Sequence, residues 1–392
     1  HKFDRLYLMN VQILTSEDGG KNFRILEGRR QKHSDHHAIV FKESDPDYIM
    51  VGTDAGIYES FDLAQNWHYF LNLPLTQFYK VAVNNAEPFY HIFGGTQDNG
   101  SAGGPSATDE GAGITNRDWY KTLFADGHQS ATDPVYNNII YATTQEGRFH
   151  RVDLETGEQV FVQPQALEGD PHERYNWDTP ILVSPHNPAK IYIGSYRVWE
   201  SENRGDSWTP ISGDLTRNEN RIELPIMGRT QSWDNAWDVK AMSQYNTITS
   251  LSESPVQEGI IWAGTDDGNV QLTVNDGKTW KLLNENIPNN PEYWVSRLVA
   301  SNHNSTTAYL SFTGRHRTDL KPYLYKTDDY GETWYSITNN LPNEPINVIT
   351  EDKKNHNLLF VGTDRTVYVS INGGLSWSQM KNDLPTIPIH DM

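Results

Sequence analysis

The chain has 392 residues, and its 32 Lys and Arg against 51 Asp and Glu leave a formal net charge of −19, which opposes attraction to nucleic-acid phosphates or anionic lipid. With 11% aromatic residues it is too aromatic for a disordered acidic chain, and with no Cys it has neither a disulfide framework nor thiol chemistry. No apolar run approaches the roughly 18 residues of a bilayer span, and residues 1 to 20 carry no basic stretch followed by an apolar one, so no membrane span or leader is expected.

Residues 3 to 26 read as the last two strands of a blade, which assigns 1–30 to a preceding or composite unit. Within them lies the first copy of a turn with the form Ser/Thr, any, Asp/Asn, any, Gly, any, any, aromatic: Ser16, Asp18, Gly20, Phe23. The pattern returns at Ser60, Asp62, Ala64, Trp67 and at Ser201, Asn203, Gly205, Trp208. It returns again at Thr273, Asn275, Gly277, Trp280, at Thr327, Asp329, Gly331, Trp334 and at Ser370, Asn372, Gly374, Trp377, with a worn copy at Asp153, Glu155, Gly157. The unit is about 46 residues long.

Each turn joins two strands, as Gly56–Ser60 leads into it and Trp67–Phe70 out of it. Two strands precede that pair. One is followed by an Asp-Pro or Asn-Pro turn (Asp45-Pro46, Asp133-Pro134, Asn187-Pro188), and one ends in Gly-Thr-Asp (Met50–Asp54, Trp262–Asp266, Phe360–Asp364). Four strands per repeat predict an all-β fold, a β-propeller. Seven complete blades are expected in 31–392, near 36–70, 77–124, 127–163, 177–212, 246–283, 294–337 and 345–380, with 387–392 reading as the first strand of another. The turn itself is architectural: its hydroxyl and carboxylate or amide can bond the turn's own amides, Gly permits positive φ, and the aromatic wedges into the blade.

Two insertions break the period. Residues 101–116 are expected to form a flexible Gly-rich loop after Gln97-Asp98-Asn99, and 213–245 to form a long insertion carrying Arg217, Arg221, Arg229, Trp233, Asp234, Trp237 and Asp238. Chemistry is expected where loops enter the innermost strand of each blade and leave the second. Entry candidates are Asp35, His36 and His37; Asp126 and His128; and Asn176, Trp177 and Asp178. Exit candidates are Asp54, Gln97, Asp98, Asn99, Asp266, Asp267 and Asp364. Strand alternation pairs Asp35 with His37 and Asp126 with His128 on one face.

The turn is the Asp-box, or BNR repeat, and the chain resembles the Asp-box propellers: sialidases, xyloglucan-degrading two-propeller hydrolases and sortilin-type receptors. The segments His33-Ser34-Asp35-His36-His37, Gln77-Phe78-Tyr79 and Gly95-Thr96-Gln97-Asp98-Asn99-Gly100 are similar to the large bacterial BNR-repeat, sortilin-like glycosyl hydrolase proteins. That resemblance implies an exported, extracytoplasmic protein that handles polysaccharide or glycan, and a second propeller of the same polypeptide as a partner. Sialidase is argued against, because the N-terminal Arg-Ile-Pro motif of that activity is absent.

Glycoside hydrolysis needs two carboxylates about 5 to 10 Å apart, and Asp35, Asp98 and Asp126 are the candidates. Substrate contacts would come from His37, Gln97, Asn99, His128, Trp177, Asp178, Arg229 and Trp233. No HExxH or EF-hand spacing exists, so no metal or cofactor is assigned. Two other readings stand beside hydrolysis: a sortilin-like ligand-binding module without a poised acid, and a scaffold propeller of a larger surface protein.

Overall fold

The computed structural model describes residues 3–26, 31–73, 76–226, 228–230, 232, 244–381 and 383–392. It is an all-β propeller of four-stranded antiparallel blades, with short 3-10 turns and no α-helix among the described residues. The strands of every four-stranded sheet pair in chain order, as a meander. The seven sheets span 36–69, 81–123, 130–161, 181–210, 248–282, 294–336 and 346–379, referred to below as blades I to VII. A three-stranded sheet, Leu6–Met9, Ile13–Ser16 and Arg24–Ile25, precedes them.

The chain divides into two compact units, His1–Gln77 and Phe78–Met392. In the first, Ile13 packs against Ile49 and Val51, joining the three-stranded sheet to blade I. In the second, the apolar core is a series of slabs between successive blades. Tyr141 and Phe149 of blade III meet Ile191 and Trp199 of blade IV, and Tyr192 and Val198 of blade IV meet Ile248 and Ile261 of blade V. Trp262 of blade V meets Leu298, Leu310 and Trp334 of blade VI; Tyr309 and Leu324 of blade VI meet Val361 and Trp377 of blade VII. A blade's second strand is therefore covered on both faces, which is why Ile261–Thr265 is buried at every position and reads as a continuous apolar run rather than an alternating one.

The repeated turn is wired to itself. Ser60 Oγ donates to Asp62 Oδ1 (2.8 Å) and accepts the amide of Ala64 (2.8 Å), while Asp62 Oδ1 accepts the amides of Gln65 and Asn66. The bond from the amide four residues on recurs at Ser16, Ser201, Thr273, Thr327 and Ser370, at 2.8 to 3.0 Å. The Asn66 side chain and amide hold Asp62 down to about 2, and Asn22 does the same for Asp18, so these carboxylates are anions bound to their own loop. Gly205, Gly277 and Gly374 have φ of 77° to 90°, and their open side lies against Val162, Ile211 and Ile337. The indoles of Trp208, Trp280 and Trp377 donate to the carbonyls of those same three residues (2.6 to 2.9 Å). The turn thus clamps the end of the preceding blade.

Part of the expected loop 101–116 is a strand: Gly100–Pro105 is the third strand of blade II, paired to His91–Thr96 along its whole length. Its glycines serve packing, since a Cβ on Gly103 would stand 2.5 Å from Phe93 and one on Gly104 2.6 Å from Trp119.

Candidate functional site

In the Phe78–Met392 unit, exits and entries of successive blades meet. The second strand of blade II ends in Gly94-Gly95-Thr96, and a Cβ on Gly95 would lie 2.2 Å from the backbone N and O of His128. That glycine lets the segment entering blade III cross directly over it, fixed by the Gly127 amide on the Thr96 carbonyl and the His128 amide on the Thr143 carbonyl, both 3.0 Å. The crossing sets Asp98 beside Asp126: the Asp98 amide donates to Asp126 Oδ1 at 3.2 Å, and Gln145 Nε2 bonds the other carboxylate oxygen. Asp98 and Ala125 adopt positive φ, 62° and 75°. Asp126 precedes the inner strand of blade III, Ser130–Thr132, and both it and His128 act on Tyr79.

Tyr79, just before the inner strand of blade II, is the hub. Its hydroxyl bonds Gln97 Oε1, and its ring stacks on His128 with centroids 4.4 Å apart. Burial pushes its phenol up to about 12, and Asp178, Asp98 and Asp126 add to the rise. Carboxylates from blades II, III and IV therefore face one phenol. His128 is fully enclosed, with Trp177 edge-on to its ring, so it supports Tyr79 and does not offer a surface to ligand. Neither ring nitrogen has a hydrogen-bond partner, and Nδ1 is 3.7 Å from an equally unpartnered Asp178 Oδ1.

The other Asp178 oxygen lies 3.7 Å from Lys80 Nζ, each side chain about one-fifth exposed. Burial alone would raise the Asp178 carboxyl, but Lys80, His128 and Arg297 outweigh it and hold the group below its ordinary range. Lys80 is pushed down by burial and by Arg297, against the pull of Asp178 and Asp391. Arg297 Nη2 donates to Asp391 Oδ1 (2.5 Å), and the Val81 amide to Asp391 Oδ2 (3.0 Å). Nearby, Arg315 of blade VI and Asn347 of blade VII both bond Asp364. Sequence reasoning missed Lys80, Arg297 and Asp391. Arg297 left a signal, a charge inside the mostly apolar strand Trp294–Ala300.

A second polar cluster begins at Asn176, two residues before Asp178. Asn176 Nδ2 donates to Thr247 Oγ1, which donates to Asp266 Oδ2 (2.6 Å), while the Thr247 amide donates to Asp266 Oδ1 (2.8 Å). Burial pushes Asp266 up to about 7, and neighbouring Asp267 adds to the rise. Asp267 is itself raised by burial and accepts the Arg217 amide (2.8 Å). The start of the 213–245 insertion is thus bonded into blade V. Arg229 is exposed in a two-stranded hairpin, Pro225–Ile226 with Arg229–Thr230; Trp233, Asp234, Trp237 and Asp238 lie outside the described residues.

Asp35, His36, His37 and Asp54 belong to the His1–Gln77 unit. Asp35 has φ 62°, which takes it out of the alternation expected to pair it with His37. Its amide donates to the Val11 carbonyl and its carboxylate accepts from Ser34 Oγ. His36 is buried with Nδ1 3.0 Å from the Asn10 carbonyl, whereas His37 is exposed and bonded to Asp54.

No family model matches the chain. An oligoxyloglucan-reducing end-specific xyloglucanase of Emericella nidulans is 21% identical over 222 residues, 54% of this chain and 23% of that protein. The chain thus aligns with less than a quarter of that relative. Among solved structures, a Niastella koreensis GH74 enzyme is 14% identical with a TM-score of 0.27, covering 96% of this chain and 70% of its own. YCF48 from Cyanidioschyzon merolae is 12% identical with a TM-score of 0.45, covering 86% and 95%. These two likenesses bear on neither activity nor ligand. Among the described residues, no helix is long and apolar enough to cross a membrane.

Proposed function

We propose that the chain is an Asp-box propeller of the glycosyl-hydrolase-like type, extracytoplasmic, which acts on polysaccharide at the loops around Tyr79. The observation that carries this reading is the convergence of Asp98, Asp126 and Asp178 on the Tyr79 phenol. Asp126, accepting from the Asp98 amide and from Gln145, is oriented as the anionic partner, a base or nucleophile; Asp98 is the proton donor. Gln97, Asn99, Trp177 and Asp178 are assigned to sugar hydroxyls and ring faces, as are His37, Arg229 and Trp233 elsewhere in the chain. Asp35 enters the same test as a third carboxylate. The partial match to a protein named as a xyloglucanase supports a polysaccharide substrate, and a further propeller of the same polypeptide is the proposed partner.

The test is product release from a polysaccharide panel, read by mass spectrometry, for the chain beside Asp98→Asn, Asp126→Asn and Asp35→Asn. Loss of release in the first two variants, with folding intact, supports the assignment. One observation favours a sortilin-like binding or scaffold role instead: Asp178 is kept ionised by Lys80 rather than poised as an acid. Binding without release from any substrate would decide for that reading.

A further inference from the structure

We propose that residues 387–392 are an internal occupant of a carboxylate-binding seat, and that the external ligand competing for the seat is a uronic acid unit of an acidic saccharide. The inference rests on the polysaccharide reading above and narrows its substrate class.

Three observations carry it. First, the seat is built and filled. The Asp391 carboxylate takes the Val81 amide on one oxygen (3.0 Å) and Arg297 Nη2 on the other (2.5 Å), and its charge acts on Lys80. Second, the occupant fits the seat imperfectly. Arg297 Nε is buried with no hydrogen-bond partner, so Asp391 uses one arm of a guanidinium fork that takes a free carboxylate on two. A ligand carboxylate can satisfy the arm that Asp391 leaves idle. Third, the occupying segment is held by few backbone bonds. The run leading into it, 383–388, is exposed, and 389–391 are half-buried. Its backbone is tied by the Ile387 amide on the Arg365 carbonyl (3.2 Å) and the Ile389 amide on the Thr363 carbonyl (2.9 Å), with weak 3.5 Å contacts to the His390 and Met392 carbonyls.

The chemistry around the seat selects a sugar acid rather than a simple carboxylate. Tyr79 and Trp177 lie against His128 in the same cluster as Lys80, whose partner Asp178 is about one-fifth exposed and can accept from a sugar hydroxyl. With Asp391 displaced, Lys80 and Arg297 face Asp178, an excess of positive charge in a chain of net charge −19.

The experiment is amide hydrogen exchange on the intact chain at Ile387 and Ile389, with D-glucuronate, with glucose and with a short peptide as probes. Glucuronate is expected to accelerate exchange at both amides about tenfold, and glucose to leave it unchanged. Asp391→Asn is expected to tighten glucuronate binding about tenfold by calorimetry, and Arg297→Gln to abolish it. No acceleration in the unmodified chain overturns the proposal whether or not the variants fold. Faster exchange with the peptide than with glucuronate overturns the saccharide assignment. Release of neutral sugars that depends on Asp126, without any response to glucuronate, overturns this inference alone; a glucuronate response without sugar release overturns only hydrolysis.

Discussion

Replacing Asp266 with Asn should remove a pH dependence of stability whose size and sign follow from its surroundings. The side chain is 4% exposed, and burial moves its carboxyl from 3.8 to about 7 against the two bonds from Thr247. Between those values the folded protein holds a proton that the unfolded chain has released. Stability from this group is therefore fully present below about pH 4, falls as pH rises, and is gone above about pH 7. At 1.36 kcal/mol for each tenfold change in proton affinity, the span is on the order of 4 kcal/mol. Asn at this position cannot titrate. It also lacks the acceptor that Thr247 Oγ1 uses, a constant loss that shifts the curve without tilting it. The turn carboxylates Asp18 and Asp62, held near 2, are common to both proteins and cancel in the difference. Urea unfolding followed by Trp fluorescence at pH 4 to 8 gives the difference between the two proteins. A difference that stays flat within about 1 kcal/mol from pH 4 to 7 would refute the account of Asp266 as a buried, protonated acid.

Glu173→Ala should cost about 3 kcal/mol by urea midpoint, because the buried Glu173 accepts from Ser195, from Arg197 at 2.9 and 2.5 Å and from Trp199, and its loss leaves the Arg197 guanidinium with the more exposed Asp170 (2.7 Å) as its carboxylate partner. Gly95→Ala should cost about 3 kcal/mol or more, since its Cβ meets the His128 backbone at 2.2 Å; a variant as stable as the parent would contradict that close crossing. Ser370→Ala removes the hydroxyl that accepts the Gly374 amide and donates to Asn372, and thermal unfolding should report about 1 kcal/mol.

The blades were legible because the repeat carries its own explanation: six copies of one turn, each with the hydroxyl that its geometry uses. The Gly-rich run 100–105 was misread because glycine marks both loops and crowded strands, and only the neighbouring Phe93 and Trp119 decide which. Asp98, from an exit loop, and Asp126, from an entry segment, lie beside one another. Alternation failed at Asp35, since it holds only in extended backbone, whereas Asp35 sits at φ 62°. Lys80 and Asp391 were illegible because their partners come from distant parts of the chain, and no local pattern announces a pair joined only by the fold.

The meander pairing has a consequence for how the chain folds. Every strand in the four-stranded sheets bonds a neighbour in sequence, so each blade closes only short loops, at small entropic cost. Its formation is a local event, and the clamping turns then join it to the preceding blade, already made. The bond from the Val81 amide to the Asp391 carboxylate is different: it spans 310 positions. A contact of that span carries the largest loop-closure cost, so the seat of the Phe78–Met392 unit is expected to be completed after the blades that separate its two halves.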